Sequence, residues 1–476
     1  MTRSIRWIAV LVAVGFLSSG QGFAQENENE SFVGSLESYQ PSDDAQDLDN
    51  SFLESQQVAQ ENKRRVLEFQ ELLQSVAFVP TKVDLEQLDV SNVQEGSLVY
   101  LEGYMTQEDG AEGFFWLDLD NPDLEVDDGV IIQATGDNNF WRRVYDGGAV
   151  NVQWFGATGK GYPNDDYPAI LKAVSKYNYV QFPAGEYYVS TPIPFAVEQR
   201  FEGLATISSV NDHGALIVGE TDCFVSTQLG SNRDVNWFNL AMSSRSGQGA
   251  GIVFDEDHTS GWNGNPIIQD CIFFSDLKRG ITGTIQGGTI FNCGFGTIGS
   301  QFNMTEGIYL DNVTENTSMR ILASKFRYMD TGILLERSNG IKITGCEFEM
   351  VKGVPVWLKG SASVTISDSY FENCRTDASQ PDGFIRLDSD GDGTGCKGTV
   401  ILGNYFLNNG GNNSTGNINS IIDGQWVTGA TVIANWFGLK RSGIAIYNQG
   451  ARQPAFSAGN MLLSNSYPPI DAYNKY

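Results

Sequence analysis

A phenylalanine that returns at a near-fixed interval constrains this 476-residue chain more than any other feature. It stands near the end of "IIQDCIFF" (Phe273), "TIFNCGFG" (Phe295), "RILASKFR" (Phe326), "KITGCEFE" (Phe348), "TISDSYFE" (Phe371), "VILGNYFL" (Phe406) and "VIANWFGL" (Phe437). Successive separations are 22, 31, 22, 23, 35 and 31 residues, a basal period of 22 with insertions in some units. A unit that is apolar on one face cannot bury that face alone, so coil must stack on coil. Most units close with a further apolar run: "GIYLDN", "GILLER", "GVPVWL", "GFIRLD" or "GIAIYN". The predicted fold is all-β, a β-solenoid over residues 150–476.

Two residues before each Phe, the residues Cys271, Cys293, Ser324, Cys346, Ser369, Asn404 and Asn435 share one inward position. Small or amide side chains suit a narrow lumen in which like residues stack. The cysteines there are expected to be free thiols, because side chains running parallel do not present disulfide geometry. Cys374 and Cys396 flank an insertion and stay open to pairing.

The chain changes character upstream of the solenoid. Arg3 and Arg6, the apolar run from Trp7 to Leu17, and Gly22-Phe23-Ala24 before Gln25 predict a secretory signal over 1–25, hence a secreted or periplasmic protein. No later segment offers the roughly 20 apolar residues of a membrane span. Residues 26–50 form an acidic linker poor in apolar residues. Residues 51–75 place apolar side chains at near-helical spacing, an amphipathic helix suited to packing on its own chain or to a homotrimeric stalk. Residues 76–149 read as a small β-module of short alternating runs. Residues 26–150 carry 28 Asp and Glu against 6 Lys and Arg, and residues 151–476 carry 30 against 22. Nucleic acid as a partner is excluded by that balance, since phosphates demand a basic footprint. A polysaccharide partner is compatible with the near-neutral solenoid.

The stretch "FGATGKGYPNDDYPAILKAV" followed by "FPAGEYYV" reads as a turn, a helix and a strand. Asp165 or Asp166 can accept N–H groups at the helix start, and Pro168 suits its first turn. The helix is placed to cover an open solenoid end. Phe155-Gly156-Ala157, Gly159, Gly161, Asp165-Asp166, Ala169-Ile170 and Phe182-Pro183-Ala184-Gly185-Glu186-Tyr187 resemble the "FGAxGDGxxDD … FPxGxY" opening of the pectate-lyase-like superfamily, in the branch of rhamnogalacturonase-like and phage tailspike-like proteins. "GFFWLD" and "DDGVIIQATGDNNFWRRVYDG" resemble the β-module often fused ahead of that opening. The resemblance implies a right-handed, single-stranded parallel β-helix capped by a short N-terminal α-helix, in a group whose members act on or bind carbohydrate. Lys160 stands where those proteins usually carry Asp, and one extra residue precedes the Asp pair. The "GHG" and paired-Asp motifs of pectin hydrolases and the "DPHE" motif of alginate epimerases are absent, so none of those activities carries over.

Candidate chemistry comes from the register. Two histidines, His213 and His258, fall far apart and leave little basis for a zinc site or a His-based triad; "DEDH", Asp255 to His258, reads as a solvated turn. Residues flanking each inward Phe must point outward. They give a face that runs from Lys325 and Arg327 through Glu347, Glu349 and Glu372 to Tyr370, Tyr405 and Trp436. Coils about 4.8 Å apart would hold Glu349 and Glu372 at the roughly 5–9 Å that acid and base roles need in glycoside hydrolysis. The aromatic rings would offer flat surfaces to sugars. A second outward ladder follows the closing runs: Asp311, Glu336, Trp357, Asp388, Asp423 and Tyr447. Asp388, Asp390 and Asp423 with Arg386 concentrate acids there, where like charges split carboxyl roles. "DSDGDG" supplies Asp388, Asp390 and Asp392 for calcium, although Thr399 stands where such a loop carries its bidentate acid; no cofactor is required. Lys325, Arg327 and Lys342 would serve β-elimination, the chemical rival. The reading is a polysaccharide-cleaving enzyme, by hydrolysis before elimination, with a non-catalytic glycan-binding or adhesive protein as the alternative.

Overall fold

The computed structural model describes residues 57–64, 76–196, 198–204, 214–227, 234–254, 264–296, 304–311, 316–374, 384–390, 392–408, 420–425, 428–439, 444–449, 456–458 and 461–462. The chain divides into two compact units, residues 1–74 and 75–476. In the first, 57–64 is helical and Glu61 pairs with Arg64 at 2.6 Å. The rest of the expected helix at 51–75, like the signal and the acidic linker, lies outside the described residues.

In the second unit each coil feeds three parallel sheets. Among the described residues, sheet I has twelve strands, from Val150–Asn151 to Phe456–Ala458, sheet II twelve, from Lys160–Asp165 to Met461–Leu462, and sheet III ten, from Ile193–Phe195 to Ile444–Gln449. The run "IIQDCIFF", which looks like one strand, is two strands around a corner, Ile267–Gln269 in sheet I and Ile272–Phe273 in sheet II. The closing run is the third strand of the coil.

Single left-handed residues make the corner from sheet I to sheet II: Asn239, Asp270, Asn292, Ala323, Gly345, Asp368, Gly403 and Ala434, with φ between 50° and 67°. Gly, Asn and Asp tolerate that conformation and Ala does not. At Ala323 and Ala434 the ladder overrides local preference: Ala323 N donates to Thr344 O of the next coil at 3.0 Å. A similar corner, at Gly296, Tyr328, Met350 and Asn373, turns sheet II toward sheet III.

The lumen is filled as the repeat requires. Phe273, Phe295, Phe326, Phe348, Phe371 and Phe406 are fully buried, and successive rings stack with centroids 4.7 to 4.9 Å apart. The polar inward column sits beside them and satisfies itself. Ser324 Oγ accepts from Cys293 N and donates to Leu322 O, and Ser369 Oγ accepts from Cys346 N. Asn404 Oδ1 accepts from Ser369 N at 3.0 Å, while its Nδ2 donates to Ile366 O and Asn435 Oδ1. All six cysteines are free and buried. Cys374 donates to Phe348 O and Cys396 to Leu358 O and Asp388 O, so each thiol meets carbonyls of its own surroundings and the two are not joined.

The α-helix Tyr167–Lys176 buries Ala169, Ile170, Ala173 and Val174 in the same core as Phe155 and Phe182. The two acids before it divide their work. Asp165 accepts from Tyr167 N at the helix start and from both N and Oγ of Ser190. Asp166 turns the other way and holds Thr158 N, Thr158 Oγ and Gly159 N of the glycine-rich turn. Neither is available as a catalytic pair. Ahead of the cap, a five-stranded sheet (Ala77–Val79 through Phe140–Arg143) buries its own core around Phe115 and Trp141. Arg143, buried and pulled down to about 9 by that burial, donates to the carbonyls of Gly129, Glu112 and Ala111. Asp128 bridges Lys82 of the module at 2.8 Å and Lys172 of the cap helix at 2.5 Å.

Candidate functional site

The outward face of sheet II carries the first expected ladder. Lys325 lies opposite Glu347, Arg327 opposite Glu349, Glu349 opposite Glu372, and Tyr370 between Glu347 and Tyr405. Neighbouring parallel strands thus put Glu349 and Glu372 one rung, about 4.8 Å, apart at the backbone. Arg327 Nη2 bonds both Glu347 and Glu349, the latter at 2.9 Å, and Lys325 Nζ stands 3.3 Å from Glu347. Burial works against ionisation of Glu347, but Arg327 and Lys325 outweigh it and hold the carboxyl below its usual range. Tyr370 Oη donates to Glu372 Oε2 at 2.9 Å and Asn373 Nδ2 to Glu372 Oε1 at 3.2 Å. Burial and that bond to Glu372 push the Tyr370 phenol up.

Glu347, already placed on this face by the sequence, belongs to the site, and so does Asn373, which residue-type reasoning passed over. Glu347 is visible in the same outward column as Lys325. Asn373 is the left-handed corner residue that follows the outward Glu372, a signal that appears only once the corner is recognised.

The aromatic part of the face differs from expectation. Tyr370 and Tyr405 stack at 5.3 Å, and Tyr405 and Trp436 at 3.7 Å. Rings on successive rungs cover one another's faces, so they offer edges and hydroxyls rather than a row of open platforms.

Sheet III separates the second ladder into two rows. Trp357 lies opposite Leu334 and Arg386, and Arg386 opposite Asp423, which pairs onward with Tyr447. Glu336 lies opposite Lys359, and Lys359 opposite Asp388. Asp388 and Asp423 are therefore diagonal, not aligned: one rung and two residues apart, about 8 Å by strand geometry. Asp388 is 8 % exposed. Its Oδ2 accepts from Trp357 Nε1 at 3.0 Å and forms an ion pair with Arg386 Nε at 2.6 Å, and Oδ1 is buried without a hydrogen-bond partner among the described residues. Lys359 Nζ and the Arg386 guanidinium lie 4.4 and 4.8 Å from the Trp357 ring centre. Asp311 pairs with Arg337 at 2.9 Å, and Glu336 with Lys359.

In "DSDGDG", Asp390 Oδ1 accepts from Asp392 N and Thr394 N and closes the turn. Among the described residues no group of three or more His, Cys, Asp or Glu is gathered as metal ligands. His213 and the Asp255–His258 cluster fall outside the described residues. Lys342 is opposite Arg320 and Thr365 on sheet I, a different face from Lys325 and Arg327, which follow the left-handed corner at Ala323 onto sheet II. Glu349 on sheet II and Asp388 on sheet III belong to different faces of the coil.

Residues 306–475 match the family described as the right-handed β-helix region, and residues 79–146 match the phage tail protein small four-stranded β-sheet domain. Among solved structures, the tailspike of Acinetobacter baumannii phage AM24 superposes with TM-score 0.60 at 17 % identity, over 83 % of this chain and 66 % of its own. The tailspike of Acinetobacter phage vB_ApiP_P1 gives 0.61 at 15 %, over 81 % and 71 %. The enzymatically active domain of bacteriophage CBA120 tailspike protein 2 gives 0.54 at 16 %, over 76 % and 58 %. This chain thus spans about two-thirds of the first tailspike's length and less of the third. No curated protein matches the sequence. No helix among the described residues is long and apolar enough to cross a membrane. At these identities the likeness is one of fold, and on it the chain is a right-handed parallel β-helix protein of tailspike-like architecture.

Proposed function

We propose that this is a secreted polysaccharide-cleaving β-helix, a glycoside hydrolase acting on the outward face of sheet II. The observation that carries the reading is the register of Glu349 and Glu372 on adjacent strands. One rung of a parallel sheet matches the roughly 5–5.5 Å carboxyl separation of retaining hydrolysis. Glu349, paired with Arg327 at 2.9 Å, is assigned the nucleophile's place, and Glu372, oriented by Tyr370 and Asn373, the place of the group that passes a proton to the leaving oxygen. Elimination is disfavoured on this face. A uronate needs an uncommitted positive group to neutralise its carboxylate, and Lys325 and Arg327 are already committed to Glu347 and Glu349. The reading uses no cofactor.

A second reading, a glycan-binding or adhesive surface without catalysis, is favoured by one feature: the Lys325–Glu347–Arg327–Glu349 network has the form of a structural charge ladder. Incubation with neutral and uronate-rich polysaccharides separates the outcomes. New reducing ends mark hydrolysis, new ultraviolet absorbance from an unsaturated product marks elimination, and binding without either marks an adhesin. The Asp388 and Asp423 row is the competing location, tested by Asp388→Asn and Asp423→Asn in the same assay.

A further inference from the structure

Cations are distributed unevenly over the three faces. Along sheets II and III and their corners, Lys325, Arg327, Arg337, Lys352, Lys359 and Arg386 each meet a carboxylate of this chain within 4.0 Å. Sheet I is the opposite case. Its outward positions from Ile267 to Ile433 hold no Asp or Glu, in a chain of net charge −28. Within that stretch Arg320 and Lys342 are exposed, lie directly opposite each other on adjacent strands, and meet no carboxylate among the described residues. Like charges so placed repel, and no carboxylate among the described residues offsets them.

Their surroundings fit a saccharide. In the adjoining outward column Phe291, 39 % exposed, is followed by Leu322, Thr344 and Ser367 on successive rungs. Thr344, partly exposed, shares a hydrogen bond at 3.1 Å with the buried Ser367 Oγ and keeps a lone pair for a further donor. Apolar surface for a sugar face, the Thr344 hydroxyl for one of its hydroxyls, and two cations at rung spacing for its acid groups thus lie side by side. A second copy of this chain is a poorer occupant, because meeting it face to face on sheet I would set Arg320 and Lys342 against their own duplicates. From this juxtaposition we infer that the outward face of sheet I around Arg320 and Lys342 is a second, non-catalytic binding surface for a linear acidic polysaccharide, separate from the carboxylates of sheet II.

The test is affinity electrophoresis in gels containing hyaluronate, alginate or polygalacturonate, with dextran as the uncharged control. The wild-type protein is expected to be retarded by at least one uronate polymer, and Arg320→Gln with Lys342→Gln to weaken that retardation at least five-fold. Lys160→Gln with Lys278→Gln removes the same charge elsewhere and is expected to leave it unchanged. Retardation reads binding and not cleavage, so a failure of the proposed hydrolysis leaves this result standing. No retardation by any uronate polymer, or equal losses in the two lysine-containing pairs, overturns the inference. A change of sedimentation mass in Arg320→Gln/Lys342→Gln, with binding intact, overturns it in favour of an interface between copies.

Discussion

Replacing Asn404 tests whether the polar column in the lumen is an energetic element or merely filler. In the native coil its Oδ1 accepts from Ser369 N at 3.0 Å and its Nδ2 donates to Ile366 O at 2.9 Å, both deep in the core. Asn404→Ala strands one buried N–H and one buried C=O, each costing about 1–3 kcal/mol when left unmade, so the expected loss is about 4 kcal/mol. Serine occupies the same position three coils earlier and behaves differently there: Ser324 Oγ accepts from Cys293 N and donates to Leu322 O. Asn404→Ser should therefore keep the bond from Ser369 N, strand only Ile366 O, and cost about half as much. Asn404→Asp should match or exceed alanine, because an oxygen would replace Nδ2 facing Ile366 O and Asn435 Oδ1. Urea midpoints give the ranking, and hydrogen exchange at the Ser369 amide localises it, since coil-by-coil opening is the expected mode of a stacked repeat. An alanine loss below about 1 kcal/mol, or serine no better than alanine, would refute the reasoning built on buried unpaired groups.

Further expectations follow from the ion pairs and thiols. Glu347 is held below its usual pKa by Arg327 and Lys325 against the pull of burial; its contribution is present above the unfolded value of about 4.3 and is lost as pH falls through the lower folded value. Glu347→Gln should flatten the acid limb of stability against pH, measured by melting at pH 3 to 6. Asp128→Asn releases Lys82 and Lys172, loosens the module on the cap helix, and should cost about 1–2 kcal/mol, seen as faster proteolysis ahead of the cap. Burial pushes the thiols of Cys223, Cys374 and Cys396 up to about 12, so iodoacetamide should label no cysteine in the native protein and six in denaturant. A homotrimer through 51–75 predicts three-fold mass by sedimentation and its loss on deleting that segment.

What the sequence disclosed and what it concealed divide along physical lines. The spacing of Phe273 through Phe406 disclosed the solenoid because a stacked lumen forces like residues into columns, and the parity of the strand then put Glu349 opposite Glu372 without further information. Parity failed at corners. A single left-handed residue consumes one position and changes the face, which is why Lys342 left the company of Lys325, and why two residues of ladder shift set Asp388 beside Lys359 and not beside Asp423. Ala323 and Ala434 carry that conformation with no compositional signal. Contacts between distant segments were equally hidden: nothing local in "WRRV" marks Arg143 as the buried donor to Gly129, Glu112 and Ala111.

The central claim is that Glu349 and Glu372 cleave a polysaccharide on sheet II. The most direct measurement is the release of reducing ends from a polysaccharide panel by the wild-type protein, Glu349→Gln and Glu372→Gln, each checked for unchanged circular dichroism. Wild-type activity reduced at least 10²-fold by either substitution is the predicted result. Cleavage that survives both substitutions, or that disappears only with Asp388→Asn, contradicts it.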